Sequence, residues 1–380
     1  SILTLAAGSN LDDATIQLPN NPISITADAE QVISEGVALQ ATTTTAIYDI
    51  LRATAPLGDV FIQVTGDLNV SDVSAVSGTA QLTASRNIID RNADGDAEVS
   101  ASNIILEATD GGIGSQANLF DIDSLGNAPG TVTAVAGQSI FLNESEDDML
   151  VDSISSLLGD VTLSAVDGSI LDGVDDAGVA DVSGFNINLD ASGSVGTVTD
   201  PLEIDTRPGG RLSVSAGDGA FVTEALGDLI LRDAITSSGT VVLVSPGAIL
   251  DDADGGLIDV NAPGLVLIAG TNIGSAGNAI EMNVDGVEGS AGGGIWLSNQ
   301  GALTIGGVSV VEGLSAGGGP IVVAANSPLT VAEDVTASGD ITLTSTDKAD
   351  TGDDITLNAP ATIESIAGSV NIFAGDNVLA

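Results

Sequence analysis

The chain has 380 residues, 43% of them hydrophobic and only 2% aromatic, with 48 glycines and 7 lysines and arginines set against 53 aspartates and glutamates. That aliphatic content is enough to bury a core, while a formal net charge of −46 leaves nothing to neutralise phosphates and excludes nucleic acid and anionic membrane surfaces as partners. Cysteine and histidine are both absent, which rules out disulfides, thiolate chemistry, the usual Ser-His-Asp and Cys-His catalytic sets and His/Cys zinc sites.

The chain starts at Ser1 without an initiator methionine and ends at Ala380 in a strand-like pattern, so it is expected to be a piece of something longer. No basic leader opens it. No apolar run reaches the roughly 18 residues that span a bilayer, so membrane insertion is not expected. Residues 1–77 are irregular, and only their last part, "GDVFIQVTGDLNVSDVSAVSG", matches the repeats further along the chain. The run "ATTTT" at 41–45 reads as strand threonines on a solvated face. A short motif, Gly-x-apolar-x-apolar, then recurs down the chain. It appears as "GDVFI" at 58, "GDVTL" at 159, "GDLIL" at 227, "GTVVL" at 239, "GALTI" at 301 and "GDITL" at 339. Each copy predicts a turn glycine followed by a strand with alternating faces.

A longer period overlies the short one. Gly78, Gly159, Gly239 and Gly319 are spaced by 81, 80 and 80 residues. The reading is therefore a degenerate repeat at 1–77, units at 78–158, 159–238 and 239–318, and a divergent module at 319–380, all in one continuous rod. Each unit runs strand, apolar-apolar-Asp, acidic loop and strand. Next come a Gly-Ser/Thr turn and an alternating "LFDID", "LEID" or "IEMNV". The segment 147–158 has helical spacing at Leu150, Ile154, Leu157 and Leu158. Its counterparts at 228–238 and 303–316 alternate, so it is read as strand.

The acidic loop of the first unit, "DRNADGDAE" at 90–98, is the candidate metal site. Asp90, Asn92, Asp94, Asp96 and Glu98 place oxygens at alternate positions around Gly95, the spacing that opens a calcium loop. The twelfth position is Ala101, so the bidentate glutamate of a full helix-loop-helix site is missing, and no helical pattern flanks the loop. The equivalent loops, "DGVDDAGVAD" at 172–181 and "DDADGGLID" at 251–259, keep the acidic ends but not the spacing. Two readings stay open: a loop-only calcium site, and a solvated corner of the repeat. No cofactor is required, and Ca2+ is the one ion the loop suits.

These features predict an all-β fold. A sandwich would need a thick core, commonly with aromatics, whereas a parallel β-helix is narrow and filled by small aliphatics. With coils of about 20 residues, each unit would hold about four and the chain about 19. Neither end carries a recognisable cap, so neighbouring copies or flanking repeats are expected to join end to end. Lys348 and six arginines are scattered along the chain, and clustered carboxylates alone do not specify catalysis, so no enzymatic activity is expected.

The strings "GSILD" (168–172), "GGIGSQANLFDID" (111–123), "GSVGTVTDPLEID" (193–205) and "GTNIGSAGNAIEM" (270–282) resemble repeats of giant bacterial surface proteins similar to filamentous haemagglutinin. The resemblance spans about residues 78–318. It implies a right-handed parallel β-helix, an extracellular or cell-surface location, and a structural role in a fibre or adhesin shaft, with host-cell or surface glycans as candidate partners. The competing reading is a carbohydrate-binding or carbohydrate-cleaving β-helix, which would call for an aromatic groove.

Overall fold

A computed structural model describes residues 2–5, 24–27, 37–54, 59–124, 130–174, 178–253, 255–346, 348 and 352–380; before residue 59 it gives strand backbone and, of the side chains, Ala53 alone. Every regular element among the described residues is a strand, and the strands pair in parallel as a β-solenoid of about 14 turns. The segment with helical spacing is the strand Met149–Ser156. The threonine run 41–45 falls in the strand Val37–Thr54, with its side chains outside the described residues. The chain divides into two compact units, Ser1–Gly193 and Ser194–Ala380.

In the first unit, a column of aliphatic side chains runs from coil to coil. Leu68 pairs with Ile88, Ile88 with Ile113, Ile113 with Ile140, Ile140 with Val161 and Val161 with Ile187. All six are fully buried. The second unit has a matching column, in which Leu229, Ile249, Ile273, Ile295, Ile321 and Ile341 pair in succession. The six Gly-x-apolar-x-apolar motifs all enter strands, with Val60, Val161, Leu229, Val241, Leu303 and Ile341 buried at the first apolar position. Parallel pairing stacks like on like, so branched aliphatics meet their own kind and fill a narrow core without aromatics.

The coils are longer than the composition suggests. The column takes 20 residues from Leu68 to Ile88 but 27 from Ile113 to Ile140. The expected 19 coils of about 20 residues are thus corrected to about 14 turns. The extra residues lie in loops such as 91–97, which lengthen a coil without adding one.

Corners break the ladder, and aspartates repair it. In the first unit, Asp59 Oδ1 accepts the Thr79 amide at 2.8 Å, Asp148 Oδ1 the Ser169 amide at 2.7 Å and Asp160 Oδ1 the Asn186 amide at 3.0 Å. In the second, Asp228, Asp334 and Asp340 accept the amides of Ala248, Thr362 and Ser369, each at 2.7 Å. Each bond links one coil to the next and gives a backbone N–H an acceptor at the corner. Part of the acidic excess is therefore structural.

Candidate metal centre

The strand Ile88–Asp90 ends on an aspartate whose side chain turns back on its own loop. Asp90 Oδ1 accepts the amides of Asn92 at 2.7 Å and Ala93 at 2.9 Å. Ala93 takes a φ of 53°, a left-handed conformation that non-glycine residues seldom adopt. The next strand, Val99–Ala108, starts just after Glu98, and one coil further on the strand Phe120–Asp123 supplies Asp121.

Oxygens of Asp90, Glu98 and Asp121 lie within 4.8 Å of one another, and all three residues are buried. Glu98 Oε2 accepts the Asp121 amide at 3.2 Å, while its Oε1 is buried without a hydrogen-bond donor. The Gly-Ser turn enters here. Ser115 and Asn118 close a tight hairpin through paired backbone bonds, and Asn118 Nδ2 donates to Asp90 Oδ2 at 2.6 Å. From the coil beyond, Asn143 Nδ2 donates to Asp121 Oδ1 at 2.6 Å. Gly114 makes the turn possible. Its φ is +63°, and a β-carbon there would sit 2.4 Å from the Phe141 carbonyl oxygen, so only glycine fits without strain.

Burial, together with contact with and the charge of Asp90, pushes the Glu98 carboxyl up to about 9. Burial also works to raise Asp90, but hydrogen bonds from Ala93, Asn118, Glu98 and Asn92 outweigh it and hold the carboxyl below its ordinary value. Asp121 is raised, chiefly by burial. Negative charge packed at this density asks for a proton or a cation.

The second unit repeats the arrangement. Oxygens of Asp251, Asp259 and Glu281 lie within 4.8 Å of one another. Asp251 Oδ1 accepts the Ala253 amide at 2.9 Å, and Ala253 again has a positive φ, 65°. Asp259 Oδ2 accepts the Glu281 amide at 2.7 Å, as Glu98 does for Asp121. Asp251 Oδ2 is buried without a donor. In the sequence, Asp172, Asp181 and Glu203 stand at the corresponding positions of the middle copy.

Of the loop residues singled out by spacing, the structure therefore brings together Asp90 and Glu98, the two ends. Asn92, Asp94 and Asp96 are exposed; Asn92 accepts the Ser71 hydroxyl at 3.2 Å, and Asp94 accepts the Asp96 amide at 3.3 Å. Sequence reasoning missed Asp121 and Glu281. Strand alternation places Asp121 on the solvent side, between the core residues Phe120 and Ile122. The available signal was the acid that recurs in "LFDID", "LEID" and "IEMNV".

Each unit buries other glutamates as well. Glu144 is fully buried, and both of its carboxyl oxygens stand 3.1 Å from the Ser124 amide. Glu224 accepts the Thr206 amide at 3.1 Å and the Thr206 hydroxyl at 2.7 Å. Asn299 is buried alike farther along the chain, accepting the Val284 amide at 3.0 Å. Burial pushes Glu144 up to about 8 and Glu224 up to about 7.

The fold and these clusters define a β-solenoid with buried carboxylate groups at recurring corners. No protein-family model, no curated protein and no solved structure matches the chain.

Proposed function

We propose that this chain is a structural segment of an extracellular fibre or adhesin shaft on a bacterial surface, related to filamentous haemagglutinin-like proteins. Its action is mechanical rather than catalytic. The observation that carries the reading is the coil-on-coil register. In each unit, buried aliphatics stack in columns over five or six successive coils, and parallel ladders join each coil to the next. Such a molecule resists deformation because extending it breaks many backbone bonds together. The acidic surface keeps it soluble and discourages lateral association. Neighbouring copies or flanking repeats would continue the ladder at the ends, and surface glycans remain the expected targets of a shaft-borne adhesin.

Negative-stain electron microscopy of the purified chain, paired with an assay on acidic and neutral polysaccharides, tests this reading. Narrow elongated particles of uniform width and intact polysaccharide are the expected result. Compact particles, or cleavage of the glycan, would replace the shaft with a discrete binding protein or an enzyme.

A further inference from the structure

We propose that the buried three-carboxylate corners are divalent-cation sites, with calcium the ion they take, bound by Asp90, Glu98 and Asp121 in the first unit and by Asp251, Asp259 and Glu281 in the second. The assignment differs from the loop site that spacing suggests. It uses the two ends of the acidic loop and an acid from the following strand, and it leaves Asn92, Asp94 and Asp96 in solvent.

Three observations carry it. The first is unmet hydrogen-bonding capacity. Glu98 has no exposure and Asp251 is 6% exposed, yet Glu98 Oε1 and Asp251 Oδ2 have no donor. A buried carboxylate oxygen without a donor is strongly unfavourable unless a cation or proton meets it. The second is spacing. Oxygens within 4.8 Å of one another can all touch one ion at the calcium–oxygen distance of about 2.3–2.6 Å. Magnesium holds its waters and demands closer ligands, which suits a buried carboxylate cluster less well.

The third is exchange between copies. The first corner has aspartate, glutamate and aspartate in chain order; the second has aspartate, aspartate and glutamate. The long and short side chains have traded places between the two strands, while the total reach and the three charges are kept. A solvated face has no reason to keep that sum. A shared ion does.

The competing occupant is a proton shared between Asp90 and Glu98, whose carboxyls are in contact. The full chain, stripped with chelator and desalted, is the material for the test. Equilibrium dialysis against micromolar calcium, followed by elemental analysis, should find at least two ions per chain. Calcium should raise the melting temperature of the stripped protein by several degrees. Glu98→Gln and Asp251→Asn should each remove one ion, whereas Asp94→Asn and Asp96→Asn should remove none. A stripped protein that takes up no calcium and melts unchanged overturns the proposal and leaves the shared proton. Loss of binding in Asp94→Asn or Asp96→Asn, with Glu98→Gln unaffected, also overturns it, in favour of the exposed loop. The wild-type ion count stands even if a variant fails to fold.

Discussion

A buried acid that carries a proton is a stability element with a pH limit. Glu224 is fully buried against Thr206, and burial pushes it up to about 7. Unfolded, it would titrate near 4.5. Because the folded value is the higher one, its contribution is fully present below pH about 4.5 and is lost as pH rises through about 7. Glu144 behaves alike, with its window reaching about 8. Asn299 supplies a control, a buried neutral amide bonded to Val284, Gly301 and Ala302. Glu224→Gln should therefore flatten the fall in stability between pH 5 and pH 8, measured by urea denaturation at each pH; an unchanged slope would show that Glu224 is ionised when folded. Alternation marks the position, since Ala220, Val222 and Glu224 share the buried face of the strand Ala220–Glu224. What the sequence does not show is the partner that keeps a carboxyl there, Thr206 on the preceding coil. The acidic corner was half legible. Its two ends recur at matching positions in every copy, but Asp121 follows a residue whose side chain defines the core face, so alternation assigns it to water.

At the scale of the element, the turn and the column make separate demands. Gly114 and Gly274 hold φ values of +63° and +62°, and in each case a β-carbon would meet a backbone carbonyl oxygen, at 2.4 Å and 2.6 Å. Gly274→Ala should cost at least about 1–2 kcal/mol for the left-handed backbone alone, with more from the collision with Trp296. The same change at Gly277, where nothing lies within 4 Å, should cost little; equal losses at both sites would remove the steric argument. The column is a packing demand. Ile273 is fully buried between Ile249 and Ile295, and Ile273→Ala should cost about 2–5 kcal/mol. Coils touch only their neighbours, so amide exchange should speed up around Ile249 and Ile295 far more than around Ile321 and Ile341, which lie two and three coils from Ile273. Uniform acceleration would mean that the unit opens as one body. The strands themselves were legible because glycine and alternation mark them in every copy. The coil number was not, because loops such as 91–97 add length that carries no period.

At the scale of the whole molecule, charge sets the conditions under which these local devices hold. Fifty-three acidic residues face seven basic ones, and ion pairs such as Arg86 with Asp67 at 3.2 Å and Arg211 with Asp252 at 3.0 Å compensate only a few. Many aspartates are fixed at corners by the amides they accept, so they cannot move apart to relieve repulsion. Folding therefore gathers like charges that the unfolded chain holds at greater distance. Screening should favour the folded state: raising sodium chloride from about 10 mM to about 150 mM shortens the Debye length from about 30 Å to about 8 Å. With chelator present throughout, the melting temperature should climb steadily over that range and level off as the Debye length approaches the spacing between neighbouring carboxylates. A site-bound ion acts differently, saturating at a fixed stoichiometry and at concentrations far too low to screen. A melting temperature that ignores sodium chloride would show that corner hydrogen bonds, and not long-range repulsion, govern how this acidic chain responds to its surroundings.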